Sequence, residues 1–346
     1  MNAVSSQFND THRTGRGRAF SMIELLVVIA IIAVLAGILL VALKGVRERA
    51  LATQTRATMQ EFSKACDSFE IEHGSYPGII PEGLLAPDGN HKLSGTENAL
   101  LHMMGGAVRG DHPDYQTSFP PPDWTEIVVD DNTPLGQIKV NLSLIGNGPE
   151  INGTPYSPYF TPKGDELVAI KGQANEPGQT PETFQLPDLV DAWGQPIIYL
   201  RRSRPIGPLV GEPNDEVKPQ FMLGPMRSYI NADILGELGQ SQFRPGKGSI
   251  LKLAADESEV NALLAQIIRH PSFGESDDSI NGTARGAYVL ISAGKDGVYF
   301  SVADGPGTPL SPIFGGGPDS LDFDNFMELG PKVIDEFDDL RLFGGG

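Results

Sequence analysis

The chain has a single cysteine, Cys66, in 346 residues. That excludes an intrachain disulfide framework and any zinc or iron–sulfur site built from clustered cysteines. Basic side chains are also scarce, 26 Lys and Arg against 44 Asp and Glu, for a net charge of −18. A nucleic-acid-binding domain needs a basic footprint for phosphates, so that class is excluded too. Proline is missing altogether from the first 73 residues, and residues 20–73 hold only two glycines, Gly37 and Gly45. All 28 prolines and most of the 41 glycines come later. Because both residues punctuate turns and break helices, this distribution predicts a long helix over 20–73, followed by a loop-rich body from Gly74 onward. A hydrophobic content of 40% and strand-like apolar runs argue that the body is folded.

Leu25 to Leu43 is uncharged and almost wholly apolar. With Phe20 to Ile23 it reaches the length needed to cross a hydrocarbon core of roughly 30 Å. A secretory signal peptide has a shorter apolar region with its small-residue cleavage site after it, whereas Ala19 lies before the run. Arg13, Arg16 and Arg18 on one flank are nearly balanced by Lys44, Arg47 and Arg49 on the other, so charge counting does not orient the helix. Glu24 stands inside the apolar run. An intramembrane carboxylate costs on the order of 3 kcal/mol and asks for a partner. Its alternative is an interfacial position, reaching the headgroups.

From Lys44 to Glu72, Val46, Ala50, Thr53, Ala57, Phe62, Cys66 and Phe69 recur at three-to-five-residue spacing between charged residues, predicting an amphipathic half that packs on the body. Cys66 reads as a small core residue rather than a reactive thiol. The helix stops at Gly74, ahead of Pro77.

The string Arg18-Ala19-Phe20-Ser21-Met22-Ile23-Glu24-Leu25-Leu26 resembles the start of type IV prepilins and type II secretion pseudopilins. The resemblance implies a leader over residues 1–19, peptidase cleavage between Ala19 and Phe20, and N-methylation of Phe20. The family usually has Gly where this chain has Ala19. The resemblance also assigns Glu24 to assembly, matched by the cationic Phe20 amine of a neighbouring subunit. Three later elements resemble the major pseudopilin in the same order: Gly74-Ser75-Tyr76-Pro77, then Asp191-Ala192-Trp193-Gly194-Gln195-Pro196, then Ser292-Ala293-Gly294-Lys295-Asp296-Gly297. Phe337-Asp338-Asp339-Leu340 resembles the closing element.

The expected fold is α+β: a long N-terminal helix, membrane-spanning in 20–43 and amphipathic beyond, packed on an antiparallel β-sheet head, 74–346, with long loops. Insertions fall at about 86–190, 203–285 and 305–335. Within the head, Glu126–Asp130, Gln137–Ile145 and Glu166–Lys171 read as strands, Tyr288–Phe300 as two strands around the Gly-Lys-Asp-Gly turn, and Asp256–His270 as a short amphipathic helix.

The resemblance further implies calcium near that turn, with Asp296, Asp304, Asp338 and Asp339 as candidate oxygen donors. Simple solvated acidic turns are the alternative. The six histidines form no His-Glu-x-x-His pair, and there is no Gly-x-Ser-x-Gly elbow, so nothing nominates an enzyme. The expected role is a structural subunit of a pseudopilus or pilus-like filament. Its partners are other pilin or pseudopilin subunits, a prepilin peptidase, an inner-membrane assembly platform and the membrane itself, with the head extracytoplasmic. The rival expectation is a membrane-tethered extracytoplasmic binding domain that borrows the leader without polymerising.

Overall fold

The computed structural model describes residues 21–85, 93–119, 123–171, 185–212, 215–222, 249–253, 257–273, 282–301, 334–335 and 337–345. The chain divides into two compact units, residues 1–49 and 50–346.

Helix α1, Met22–His73, runs through the proline-free stretch. In the first unit its Met22–Leu39 segment has a mean hydropathy of 3.0 and is long and apolar enough to cross a membrane. Its large apolar side chains, Leu25, Ile29, Ile32 and Leu35 among them, are all exposed. In the second unit the same helix buries Thr55, Thr58, Met59, Phe62, Ala65, Cys66 and Phe69. This is helical three-and-four spacing, but it corrects part of the predicted stripe: Val46, Ala50, Thr53 and Ala57 face solvent. The face begins at Thr55, and its first two members are threonines whose hydroxyls bond to the head. Thr55 accepts the Ala192 N–H (3.0 Å) and Thr58 donates to Glu166 Oε1 (2.8 Å).

The head begins with α2, Glu82–Leu85, and α3, Gly95–Met104. Helix α3 starts at a capping box in which Ser94 and Glu97 exchange bonds. Strands β1 (Ala107–Arg109), β2 (Thr125–Val128) and β3 (Gln137–Val140) form an antiparallel sheet ordered β1-β3-β2. Two antiparallel strand pairs follow, β4 (Glu150–Ile151) with β5 (Thr154–Pro155), and β6 (Leu167–Lys171) with β7 (Gln185–Leu189).

A three-stranded sheet that shares a hydrophobic cluster with α1 is ordered β12-β11-β8, all antiparallel. It is built from β8 (Ile198–Arg201), β11 (Tyr288–Ser292) and β12 (Leu340–Gly344). Between β8 and β11 the chain adds β9 (Val210–Gly211) and β10 (Phe221–Met222), a parallel pair that the all-antiparallel expectation did not include. Helices α4 (Ile250–Leu253) and α5 (Glu257–Ile268) follow, the latter inside the predicted Asp256–His270.

Two hydrophobic clusters hold the head. One joins Met59, Phe62, Cys66 and Phe69 of α1 to Leu100 and Met103 of α3 and to Tyr199, Tyr288 and Leu290 of the sheet. The other surrounds α5 and the opposite sheet face, through Leu263, Ile267, Leu200, Val289 and Ile291.

One predicted strand is absent. After β11 the chain makes a 3-10 turn, Gly294–Asp296, passes left-handed Gly297 (φ +74°), and drives Tyr299 and Phe300 into the core instead of returning along β11. Phe300 itself is left-handed (φ +50°), a conformation incompatible with a continuing strand. The neighbours of β11 therefore come from distant parts of the chain, β8 and β12.

Candidate functional site

The amino-terminal determinants come first. Ala19 and Phe20 lie outside the described residues. Glu24 is described: its Oε2 accepts the Ser21 N–H (2.9 Å), and its own N–H donates to Ser21 Oγ (3.2 Å). Ser21-Met22-Ile23-Glu24 is thus a reciprocal capping box that satisfies donors at the open end of α1. The Ser-x-x-Glu spacing is plain in the sequence, and reading Glu24 only as an intramembrane charge overlooks it. The cap occupies Glu24 Oε2.

The three head motifs converge on α1. At the helix end, left-handed Gly74 (φ +72°) donates its N–H to Glu70 O (2.7 Å), closing the last turn. The Tyr76-Pro77 turn beyond it is clamped by Arg201, at the end of β8. The Arg201 guanidinium donates to the Tyr76 and Ile80 carbonyls and pairs with buried Glu82. No local sequence signal connects Arg201 to that turn, because the partners are more than a hundred residues apart.

The Asp-x-Trp-Gly-x-Pro element is organised by Asp191, 4% exposed. Its Oδ1 accepts the N–H groups of Trp193 and Gln195, both at 2.9 Å, and its Oδ2 accepts the Ser292 hydroxyl at 2.7 Å. Burial pushes the Asp191 carboxyl above its ordinary range, opposed by those bonds. Ser292 is the first residue of the Ser-x-Gly-x-Asp-Gly element and in turn accepts the Gly294 N–H (3.2 Å). The two signatures are therefore one lock: a turn tied through Ala192 to α1 and through Ser292 to β11. The Tyr299 hydroxyl adds a bond to the Pro196 carbonyl.

Three of the four candidate calcium donors gather at this corner. Asp296 Oδ1 accepts the Val298 N–H (2.9 Å), Asp338 pairs with Lys295 (3.5 Å), and buried Asp339 accepts the Phe300 N–H through both oxygens. Burial raises the Asp339 carboxyl well above its ordinary range, and the nearby Asp338 and Asp296 add to the rise. Asp304 lies outside the described residues. Among the described residues no group of three or more His, Cys, Asp or Glu is arranged to hold a metal.

A second set of acids escapes sequence reading. Glu97 of α3 and Asp188 of β7 flank Ser94, whose hydroxyl reaches Asp188 at 3.4 Å. Burial, and for Asp188 also the charge on Glu97, raises both carboxyls. Cys66 is fully buried, and burial pushes its thiol up, which fits a core residue and not a nucleophile.

Comparison with known proteins gives one finding. Residues 15–40 match the prokaryotic N-terminal methylation motif, a span that contains Ala19, Phe20 and Glu24. No curated protein and no solved structure matches the chain. The match, which takes in the apolar Met22–Leu39 segment of α1, shows that this α+β chain carries a prepilin-like leader of the type IV pilin kind.

Proposed function

We propose that the chain is a pilin-like structural subunit of a type II secretion pseudopilus or related filament, cleaved before Phe20 and assembled through α1. It catalyses no reaction in this reading. The observation that carries it is the methylation motif placed on a helix whose Met22–Leu39 face is wholly exposed, with one carboxylate, Glu24, inside the apolar run. In a membrane that stripe is covered by lipid. In a filament it is covered by copies of itself, and in this reading the Glu24 carboxylate takes the methylated Phe20 amine of a neighbour. The head, carrying most of the acidic charge, faces away from the anionic membrane on the extracytoplasmic side. The partners follow from this reading: a prepilin peptidase, an inner-membrane assembly platform and other pilin-type subunits.

Glu24→Ala tests it. The variant is expected to insert and be cleaved normally but to give no filaments by electron microscopy of sheared material. Filaments at wild-type abundance would contradict the reading, and retained function without polymer would favour the tethered binding domain. A calcium ion at the Asp296 corner remains part of the proposal on the resemblance. A calcium-dependent rise in melting temperature, lost in Asp296→Ala, supports it, and no rise at saturating calcium counts against it.

A further inference from the structure

In a chain where acids outnumber bases so heavily, four arginines line one cleft of the head. The cleft, of about 660 Å³, lies beside the Gly74 turn, with Arg109, Arg201, Arg202 and Arg204 on its walls and Glu70 and Glu82 as their acidic companions. That volume falls within the range of sites that hold ligands. The four arginines do different things. Arg201 is committed to Glu82 and the Tyr76 and Ile80 carbonyls, and Arg109 to Asp111 and the Ile79 carbonyl. Arg202 and Arg204 have no acidic partner within ion-pair distance among the described residues. Both sit just past β8, on backbone that is itself fixed: Arg202 N–H donates to Ala287 O (2.7 Å) and Ser203 N–H to Gln220 O (2.8 Å). A held backbone presenting guanidinium groups is a geometry suited to carboxylates, which arginine grips with two parallel bonds.

We infer that this cleft is a docking site for a carboxylate-bearing surface segment of a second copy of the chain. The inference rests on the filament reading above, because that reading brings heads together at high local concentration. Charge complementarity selects the occupant. The chain carries a net charge of −18, so identical copies repel one another unless a cationic site on one meets acids on the next. Exposed acids lie elsewhere on the same head, at Asp123, Asp131, Asp165, Asp215 and Glu216. A contact between two different patches is head-to-tail, the kind of contact that a helical filament repeats from subunit to subunit. The cleft adds a salt-sensitive contact between heads to the one made by the helices.

The test uses the full mature chain in detergent micelles, in the Glu24→Ala background so that helix assembly does not mask head contacts. Tagged and untagged chains are expected to co-purify at low salt and to separate at high salt. The R202E/R204E double variant is expected to weaken the association by about tenfold or more, with R56E, an exposed α1 arginine away from the cleft, as the unaffected control. Labelled hexaglutamate is expected to bind the single Glu24→Ala chain and to lose affinity to the same extent in R202E/R204E. Association absent from the start, or equal in R202E/R204E and R56E, would overturn the proposal. So would displacement of hexaglutamate by inorganic phosphate at equal concentration, which would mark a small-anion site. Filaments persisting in Glu24→Ala would instead refute the helix reading and leave the R202E/R204E comparison to decide the cleft.

Discussion

Replacing Asp191 with alanine is expected to loosen the joint between α1, the Trp-Gly turn and β11. The carboxylate accepts three hydrogen bonds, two from backbone N–H groups and one from Ser292, in a site only 4% exposed. Alanine leaves those donors without their acceptor, and each buried orphan costs about 1–3 kcal/mol, so the gross loss is on the order of 4 kcal/mol. Part is returned, because burial already disfavours the Asp191 charge and alanine removes that cost. The net expectation is a destabilisation of about 3 kcal/mol, or about 6–9 °C in the melting temperature of a domain this large. Asp191→Asn is the control. It keeps an oxygen for the two N–H groups, and the Ser292 hydroxyl can turn to accept from the new amide, so the loss stays under about 1 kcal/mol. Thermal unfolding of the full chain, followed by near-UV circular dichroism, reads both. Asp191→Ala within about 0.5 kcal/mol of wild type would refute the claim that this residue locks the motifs together.

The acid pair beside Ser94 makes stability depend on pH. Glu97 is raised from 4.5 to about 7 and Asp188 is raised as well, so the folded head holds protons that the unfolded chain releases. The pair's contribution to stability is therefore fully present below about pH 4.5 and is lost as pH rises through 7; from the Glu97 shift, discounted for its partial exposure, the loss is about 2 kcal/mol. Glu97→Gln keeps the capping box and should flatten that slope in chemical denaturation series from pH 5 to 8, whereas an unchanged slope would show that the pair is not its source. Cys66, fully buried with its thiol pushed up, should resist alkylation in the native state and react only on unfolding, and fast native labelling would contradict its place in the α1 cluster.

What the sequence made legible was the part governed by local rules. The missing prolines delimited α1, Gly74 marked its end, and the Asp191 and Ser292 motifs stood out as turns. The amphipathic stripe was only half legible. Hydrophobicity picked Phe62, Cys66 and Phe69 correctly but missed Thr55 and Thr58, which are buried because their hydroxyls find partners 137 and 108 residues away. The same distance hid the Arg201 clamp and the Glu97–Asp188 pair, since sequence spacing carries no information about which remote groups will meet. The second strand expected after the Gly-Lys-Asp-Gly turn fails where Phe300 turns left-handed, its N–H held by Asp339, 39 residues further along the chain. At the amino terminus the Ser21–Glu24 capping box was visible in the spacing, but the charge inside an apolar run drew the reading to assembly or to the membrane interface instead.

The central claim is that residues 1–19 are a leader and that the working subunit begins at Phe20. Intact-mass and N-terminal peptide mass spectrometry of the protein purified from membranes tests it most directly. The account predicts a mature chain starting at Phe20 and heavier there by one methyl group. A chain that retains Met1–Ala19, or one cut after the apolar helix instead of before it, would contradict it.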